Sequence, residues 1–178
     1  MMKKIIVAFL AATCSLVMVR SQAQHLPTVI KVQAMEMGNA AIRNDFNTFV
    51  KYMHPDVVAF AGGKADMKTK MDSAYQMMKQ FGVSFKRYWI GNPGEIVKHK
   101  NQLQALLPQS TSLKTPFGEL NAETTMLVIS KDGGKNWWFI DTNVYGTDKL
   151  KNILPDLSPK LVIPPRTKPK LVPANKVQ

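Results

Sequence analysis

The chain has a single cysteine in 178 residues. That residue, Cys14, sits inside an N-terminal apolar leader, so a processed chain has no disulfide, no thiol nucleophile and no cysteine metal site. Histidine is scarce too: His25, His54 and His99 lie far apart without ligand spacing, and no metal is expected. There is no Gly-rich phosphate loop and no Gly-x-Ser-x-Gly elbow, which leaves nucleotide binding and that class of serine hydrolase without support; no cofactor is expected. Acidic residues are few, 12 against 24 Lys and Arg, for a formal net charge of +12. The basic residues are not interleaved with aromatics as a strand-binding groove needs, and nucleic acid is not an expected partner. No apolar run reaches the roughly 20 residues of a permanent membrane helix.

What is present at the N-terminus is a secretory pattern. Met1-Met2-Lys3-Lys4 precedes an apolar stretch from Ile5 to Val19, and Ser21 and Ala23 are small residues at −3 and −1 of a cleavage site. Cleavage is expected after Ala23, placing the protein in the periplasm or outside the cell. The alternative, a lipoprotein modified at Cys14, is the weaker reading: Thr13 and Ala11 replace the usual small residue and leucine, and apolar residues continue past Cys14. Losing Lys3, Lys4 and Arg20 lowers the net charge from +12 to +9. The division expected is a signal peptide over 1–23, one domain over 24–154 and a Pro/Lys-rich tail over 155–178. Prolines 155, 159, 164, 165, 169 and 173 remove donors and block helix, so the tail reads as extended or disordered. Its lysines suit contact with an anionic envelope surface, or else they are solvated on a frayed terminus.

In the body, Pro27 to Met53 favours helix, with a break and new N-terminus at Asn44-Asp45. His54-Pro55-Asp56 is read as the end of that helix and Val57–Ala61 as a short buried strand. A third helix is expected from about Lys64 to Gln80, with Met67, Met71, Ala74, Tyr75 and Met78 on one face. Strands follow at Val83–Ile90, Glu95–Leu107, Gly118–Ser130 and Asn136–Val144. The last two are joined through Lys131-Asp132-Gly133-Gly134-Lys135, an Asp-Gly hairpin signal. A short helix is expected at Thr147–Leu154.

The run Asn44-Asp45-Phe46, then Tyr52-Met53-His54-Pro55-Asp56-Val57-Val58, Gly62-Gly63 and a Met-rich helix resembles the nuclear transport factor 2-like superfamily. That superfamily includes ketosteroid isomerases and polyketide-cyclase-like proteins. The resemblance covers about Leu26 to Leu154. It implies an α+β domain in which a curved antiparallel sheet wraps around N-terminal helices, a cone-shaped, cystatin-like form with an apolar pocket at its wide end. Isomerase-like members use a carboxylate on the first strand and a phenol on the first helix. Here Val57–Ala61 has no acid and Leu26–Arg43 no tyrosine, so that apparatus is not implied.

The acid–base candidates are His54, His99 and Asp141. His54 beside Asp56 fits either proton transfer or a plain turn; Asp141 is of interest only if it faces inward, where burial raises a carboxyl pKa. Tyr52, Phe60, Arg87, Trp89 and Trp138 are the ligand-pocket candidates. Strict alternation puts Phe85, Arg87 and Trp89 on one strand face, lining either the pocket or an interface. Trp137, Phe139 and Asp141 alternate with Trp138, Ile140 and Thr142; both sets are bulky, which suggests cover on both sides and a homodimer through the sheet. The leading functional expectation is an exported, non-catalytic domain that binds a small, largely apolar molecule. The alternatives are an isomerase, dehydratase or cyclase using a pocket His or Asp, and an envelope protein-interaction domain.

Overall fold

The computed structural model describes residues 25–174; the leader, with Cys14 and Ala23, and the last residues including Lys176 lie outside them. Helix α1 covers 25–42. Then come α2 (Phe46–Phe49), a 3-10 turn (Val50–Tyr52), α3 (Pro55–Phe60) and α4 (Gly63–Gln80). Strands β1 (Ser84–Ile90), β2 (Val97–His99), β3 (Gln102–Thr115), β4 (Gly118–Ser130) and β5 (Trp138–Asp141) follow. Two short helices, α5 (Thr142–Tyr145) and α6 (Thr147–Ile153), and strand β6 (Lys170–Pro173) complete an α+β domain with one open, antiparallel, six-stranded sheet.

The helical layer corrects one expectation. Residues 57–61 are not a strand, because Pro55 starts a helix. His54 takes the extended conformation that a residue before proline must take, and its Nδ1 accepts the Asp56 N–H at 3.2 Å. Proline in the first turn and an acid behind it are helix-start chemistry, and they prevail over the strand preference of Val57-Val58-Ala59-Phe60. The break at Asn44-Asp45 is where the side chains place it: Asn44 takes φ 55°, and the Asp45 carboxylate accepts the Thr48 N–H at 3.1 Å.

The sheet is four rows wide, with both outer rows interrupted. β3 and β4 form the central pair, in register from Leu103↔Ser130 to Thr115↔Gly118. β1 and β2 run in line along the outer edge of β3. The expected strand Glu95–Leu107 is therefore two strands, turned at Lys100, which takes φ 50°. Pro108 accounts for the gap between β1 and β2. Its carbonyl accepts the Gly91 N–H at 2.9 Å, so its missing donor faces that same edge, and β1 pairing stops at Ile90↔Gln109. On the other side β5 pairs with β4 at 126–129 and β6 at 118–121, leaving 122–125 unpaired between them. The expected strand Asn136–Val144 is shorter because Asp141 ends it, accepting the Asn143 N–H at 2.8 Å to start α5.

Alternation sends each strand's apolar side chains to two cores. Leu107, Met126, Val128 and Phe139 pack against Ile30, Ala34 and Met37 of α1. Leu127, Ile129 and Ile140 pack against Val57 of α3 and Leu150 and Leu154 around α6. Each of the larger side chains contributes about 1.5–3 kcal/mol relative to exposure. The bulk on both sides of β5 thus has its cover within one chain. The proline-rich segment after Leu154 is extended but well attached. Leu157, Leu161 and Ile163 join the second core. The fully buried Gln104 amide donates to the Asp156 carbonyl at 2.7 Å and accepts the Ser158 N–H at 2.8 Å.

The connection between β4 and β5 is organised by one side chain. Asp132 accepts the backbone N–H groups of Lys135 at 3.1 Å and Asn136 at 3.0 Å, and the Ser130 hydroxyl at 2.8 Å. Burial pushes the Asp132 carboxyl up, but these hydrogen bonds outweigh it and hold it at about 2. This contribution to stability is complete above the ordinary carboxylate range and is lost as pH falls through 2. Asp132→Ala should therefore lower the thermal midpoint at pH 7 and leave a shallower acid limb below pH 4, read by circular dichroism melts.

Close packing of α1 on the sheet gives a second test. A Cβ on Gly38 would lie 1.9 Å from Tyr88 Cε1. Helix propensity alone favours alanine over glycine by about 1 kcal/mol, while overpacking costs about 1–3 kcal/mol. Gly38→Ala is expected to lower the thermal midpoint in the native background and to raise it when combined with Tyr88→Ala.

Candidate functional site

Three places gather polar side chains. The first is a cavity of about 420 Å³ on the sheet face opposite α1, at the gap in the outer row of β4. Trp89 and Pro108 wall it on the β1/β3 side, and Pro164, Pro165 and Thr167 on the other. Ser110, Glu123 and Thr125 lie between, with Asn143 at the rim. Two carbonyls of the unpaired β4 stretch are satisfied from this rim. Thr142 Oγ1 donates to the Thr125 carbonyl at 2.8 Å, and Thr167 Oγ1 to the Glu123 carbonyl. Asn143 clamps the tail, donating to the Thr167 carbonyl at 3.0 Å and accepting its N–H at 3.2 Å.

The second is a hydrogen-bonded chain on the α1 face. The Tyr88 hydroxyl donates to Gln109 Oε1 at 3.1 Å, and Gln109 Nε2 donates to Asp141 Oδ2 at 2.8 Å. Thr124 Oγ1 donates to the same Asp141 oxygen at 3.2 Å. Burial pushes the Asp141 carboxyl up, opposed by the donors from Asn143, Thr124, Val144 and Gln109. Burial, with Asp141 alongside, also pushes the Tyr88 phenol up. Both Asp141 oxygens are held by protein donors, so this carboxylate fastens β3, β4, β5 and α5 together. Gln109 and Thr124 also border the cavity.

The third is a small cavity of about 80 Å³ beside His54, lined also by Gln102, Gln104 and Asp156. His54 is 2% exposed and meets Trp138 edge-on, ring centroids 4.8 Å apart. Gln102 is buried there, and its Oε1 has no hydrogen-bond partner among the described residues. A shallow recess of about 430 Å³ along the solvent side of α1 is lined by that helix and by Arg43 just past its end, so no second element converges on it.

The candidates therefore scatter. Trp89 lines the first cavity, and Arg87 is exposed on the same sheet face. Alternation misplaces their neighbour Phe85: a bulge between Phe85 and Arg87 puts Phe85 with Tyr88 and Ile90 on the α1 face. His54 and Trp138 meet at the small cavity. His99 is half-buried on β2, on the Asp156 side of the sheet. Tyr52 lies edge-on to Phe139 at 6.2 Å, where burial, with Glu36 beside it, pushes its phenol up to about 12. Phe60 is exposed next to Tyr145 at 6.2 Å. Sequence reasoning missed Ser110, Glu123, Thr125, Asn143 and the tail wall; the apolar Leu157, Leu161 and Ile163 between the prolines were the signal that the tail docks.

Among the described residues, no three His, Cys, Asp or Glu side chains are placed to hold a metal ion, and no helix is long and apolar enough to cross a membrane. No protein-family model matches the chain, and a search of curated proteins finds no match either.

His54 gives this region a pH signature. Burial lowers its pKa from 6.5, the Asp56 carboxylate 3.7 Å away opposes the shift, and Lys131 adds to it. The neutral Nδ1 is also the helix cap, a contact worth about 0.5–2 kcal/mol. Stability from this group is present above pH 6.5 and is lost as pH falls through the lower folded value. His54→Asn retains a cap acceptor without the titration. Its thermal midpoint should fall less than the native protein's on acidification below pH 6.5.

Proposed function

We propose that this chain is an exported, non-catalytic domain that binds a small molecule between the back of its sheet and its C-terminal segment. The observation that carries the reading is the cavity of about 420 Å³ walled by Trp89 on one side and Pro164, Pro165 and Thr167 on the other. Its size falls in the range of about 300–1,000 Å³ typical of ligand sites. Its one carboxylate, Glu123, has no histidine, cysteine or lysine beside it in the lining. The acid–base candidates His54 and Asp141 are occupied elsewhere as a helix cap and a fastener. The secretory pattern of residues 1–23 supports export. The nuclear transport factor 2-like resemblance and its cone-shaped, cystatin-like wrapping belong to the same proposal; helices followed by an antiparallel meander support them, and the helix at Pro55–Phe60 weighs against them. The exposed Lys160, Lys168 and Lys170 support contact with an anionic envelope surface.

Fragment mixtures screened by NMR test the site. Binders should shift the Trp89 indole N–H signal and leave those of Trp137 and Trp138 in place. Ending the chain after Ile163 keeps Leu157, Leu161 and Ile163 in the core but removes the proline wall, so the shortened protein should stay folded and lose those binders. Fragments that bind equally well without the wall would reject the cavity as the site.

A further inference from the structure

We infer that the molecule bound in this cavity is a neutral pyranose sugar, one ring stacked on Trp89 with its hydroxyls turned toward Ser110, Thr125 and Glu123. The inference rests on reading the cavity as the binding site and adds the class of ligand.

Trp89 is 53% exposed, a large indole left half in water one residue before the buried Ile90. It is braced in place. A Cβ on Gly91 would come 3.0 Å from Trp89 Cη2 and 3.2 Å from Cζ3, with Pro108 Cβ also at 3.2 Å. The six-membered ring thus occupies the space that a side chain at 91 would take. A held indole offers a rigid apolar plane at little entropic cost, and such a plane matches the C–H face of a sugar ring.

The pairing register sets polar groups beside that plane. Trp89 pairs with Ser110, and Ser110 pairs with Glu123, so the three form one cross-strand row on the face opposite α1. Strand spacing makes that row about 10 Å long. Thr125 stands on the same face beside it, opposite Pro108. Most polar groups of the cavity are already committed: Gln109 and Thr124 to Asp141, Thr142 to Thr125, Asn143 and Thr167 to each other. Among the described residues, Ser110 Oγ, Thr125 Oγ1 and the Glu123 carboxylate engage no hydrogen bond. Two hydroxyls that both donate and accept, next to one carboxylate that only accepts, complement vicinal hydroxyl groups.

Charge narrows the class further. Arg87 pairs with Ser112, and Lys170 with Asn121, which puts two cations on this face one row beyond Trp89–Ser110–Glu123. They disfavour a cationic ligand, while Glu123 inside the cavity disfavours an anion. A purely apolar ligand would strip water from Ser110, Thr125 and Glu123 and return no hydrogen bonds. A ligand with one apolar face, a rim of hydroxyls and no charge satisfies all of these groups.

The test follows the Trp89 indole N–H by NMR in the purified, isotope-labelled protein. It is titrated with glucose, galactose, mannose, N-acetylglucosamine and their disaccharides, and in parallel with choline, glucuronate and cyclohexanol. At least one neutral sugar should give saturable shifts. Glu123→Gln should weaken that sugar tenfold or more. Gly91→Ala, which crowds the indole at a position where backbone φ imposes no strain, should weaken it in protein that remains folded by circular dichroism. Saturation by choline, glucuronate or cyclohexanol and by no neutral sugar would overturn the ligand class and leave the cavity as the site. If no probe moves the Trp89 signal, the cavity reading falls with it. A sugar that binds Glu123→Gln as well as the native protein would also overturn the assignment.

Discussion

The pairing of β3 with β4 carries the rest of the molecule. Their register runs without a break from Leu103↔Ser130 to Thr115↔Gly118, and every other strand attaches to an outer edge of this pair. Because side chains alternate across a strand, a shift of one residue would exchange Leu107, Met126 and Val128 for Leu106, Leu127 and Ile129, and both cores would be lost together. The same register places Gln109 opposite Thr124 for the Asp141 fastener, and Ser110 opposite Glu123 on the other face. One ladder therefore sets the two cores, the internal polar chain and the cavity.

Interruptions in the outer rows create the site. Pro108 takes away a donor on the β1/β2 side, and the chain from Gly91 to Ile96 bends around that loss. On the opposite side β5 and β6 leave residues 122–125 of β4 unpaired. Unpaired edges favour pairing with another chain. Here the threonine hydroxyls of Thr142 and Thr167 take the exposed carbonyls, and the proline segment, which cannot add a regular ladder of donors, lies alongside. The result is a walled space rather than a continuous sheet.

Burial sorts the titratable groups into fasteners and surface charges. Asp132 and Asp141 both accept several hydrogen bonds, yet their shifts run in opposite directions. At Asp141 the loss of water prevails, and at the exposed Asp132 the donors do. Burial lowers the His54 pKa for the first of these reasons, and its Nδ1 caps α3 ahead of Pro55. The groups offered as acid–base candidates by residue type, His54 and Asp141, hold a helix start and a strand junction in place through those partners.

Much of the secondary structure was legible in local pattern. The 3.6-residue repeat marks α1 and α4, the Asn44-Asp45 cap marks the start of α2, and β-branched and aromatic runs between turn residues mark β1 and β4. Val57-Val58-Ala59-Phe60 misled because it has strand composition, while the helix start that overrides it lies in the three residues before. Lys100 gave no turn signal because lysine carries none. Trp89 was recognisable as a candidate from its type, for a pocket or for an interface. Its partners were not, because Ser110 and Glu123 meet it only through pairing across three strands, and Pro164 to Thr167 meet it only after the tail returns along the sheet. The α+β class, the breaks at Asn44-Asp45 and the glycines, and the alternation that makes each strand two-faced follow from local pattern alone. Which faces were buried, where the sheet edges opened and which side chains met across the cavity were decided by contacts between residues far apart in the chain, whose free energy exists only when the whole sheet has formed.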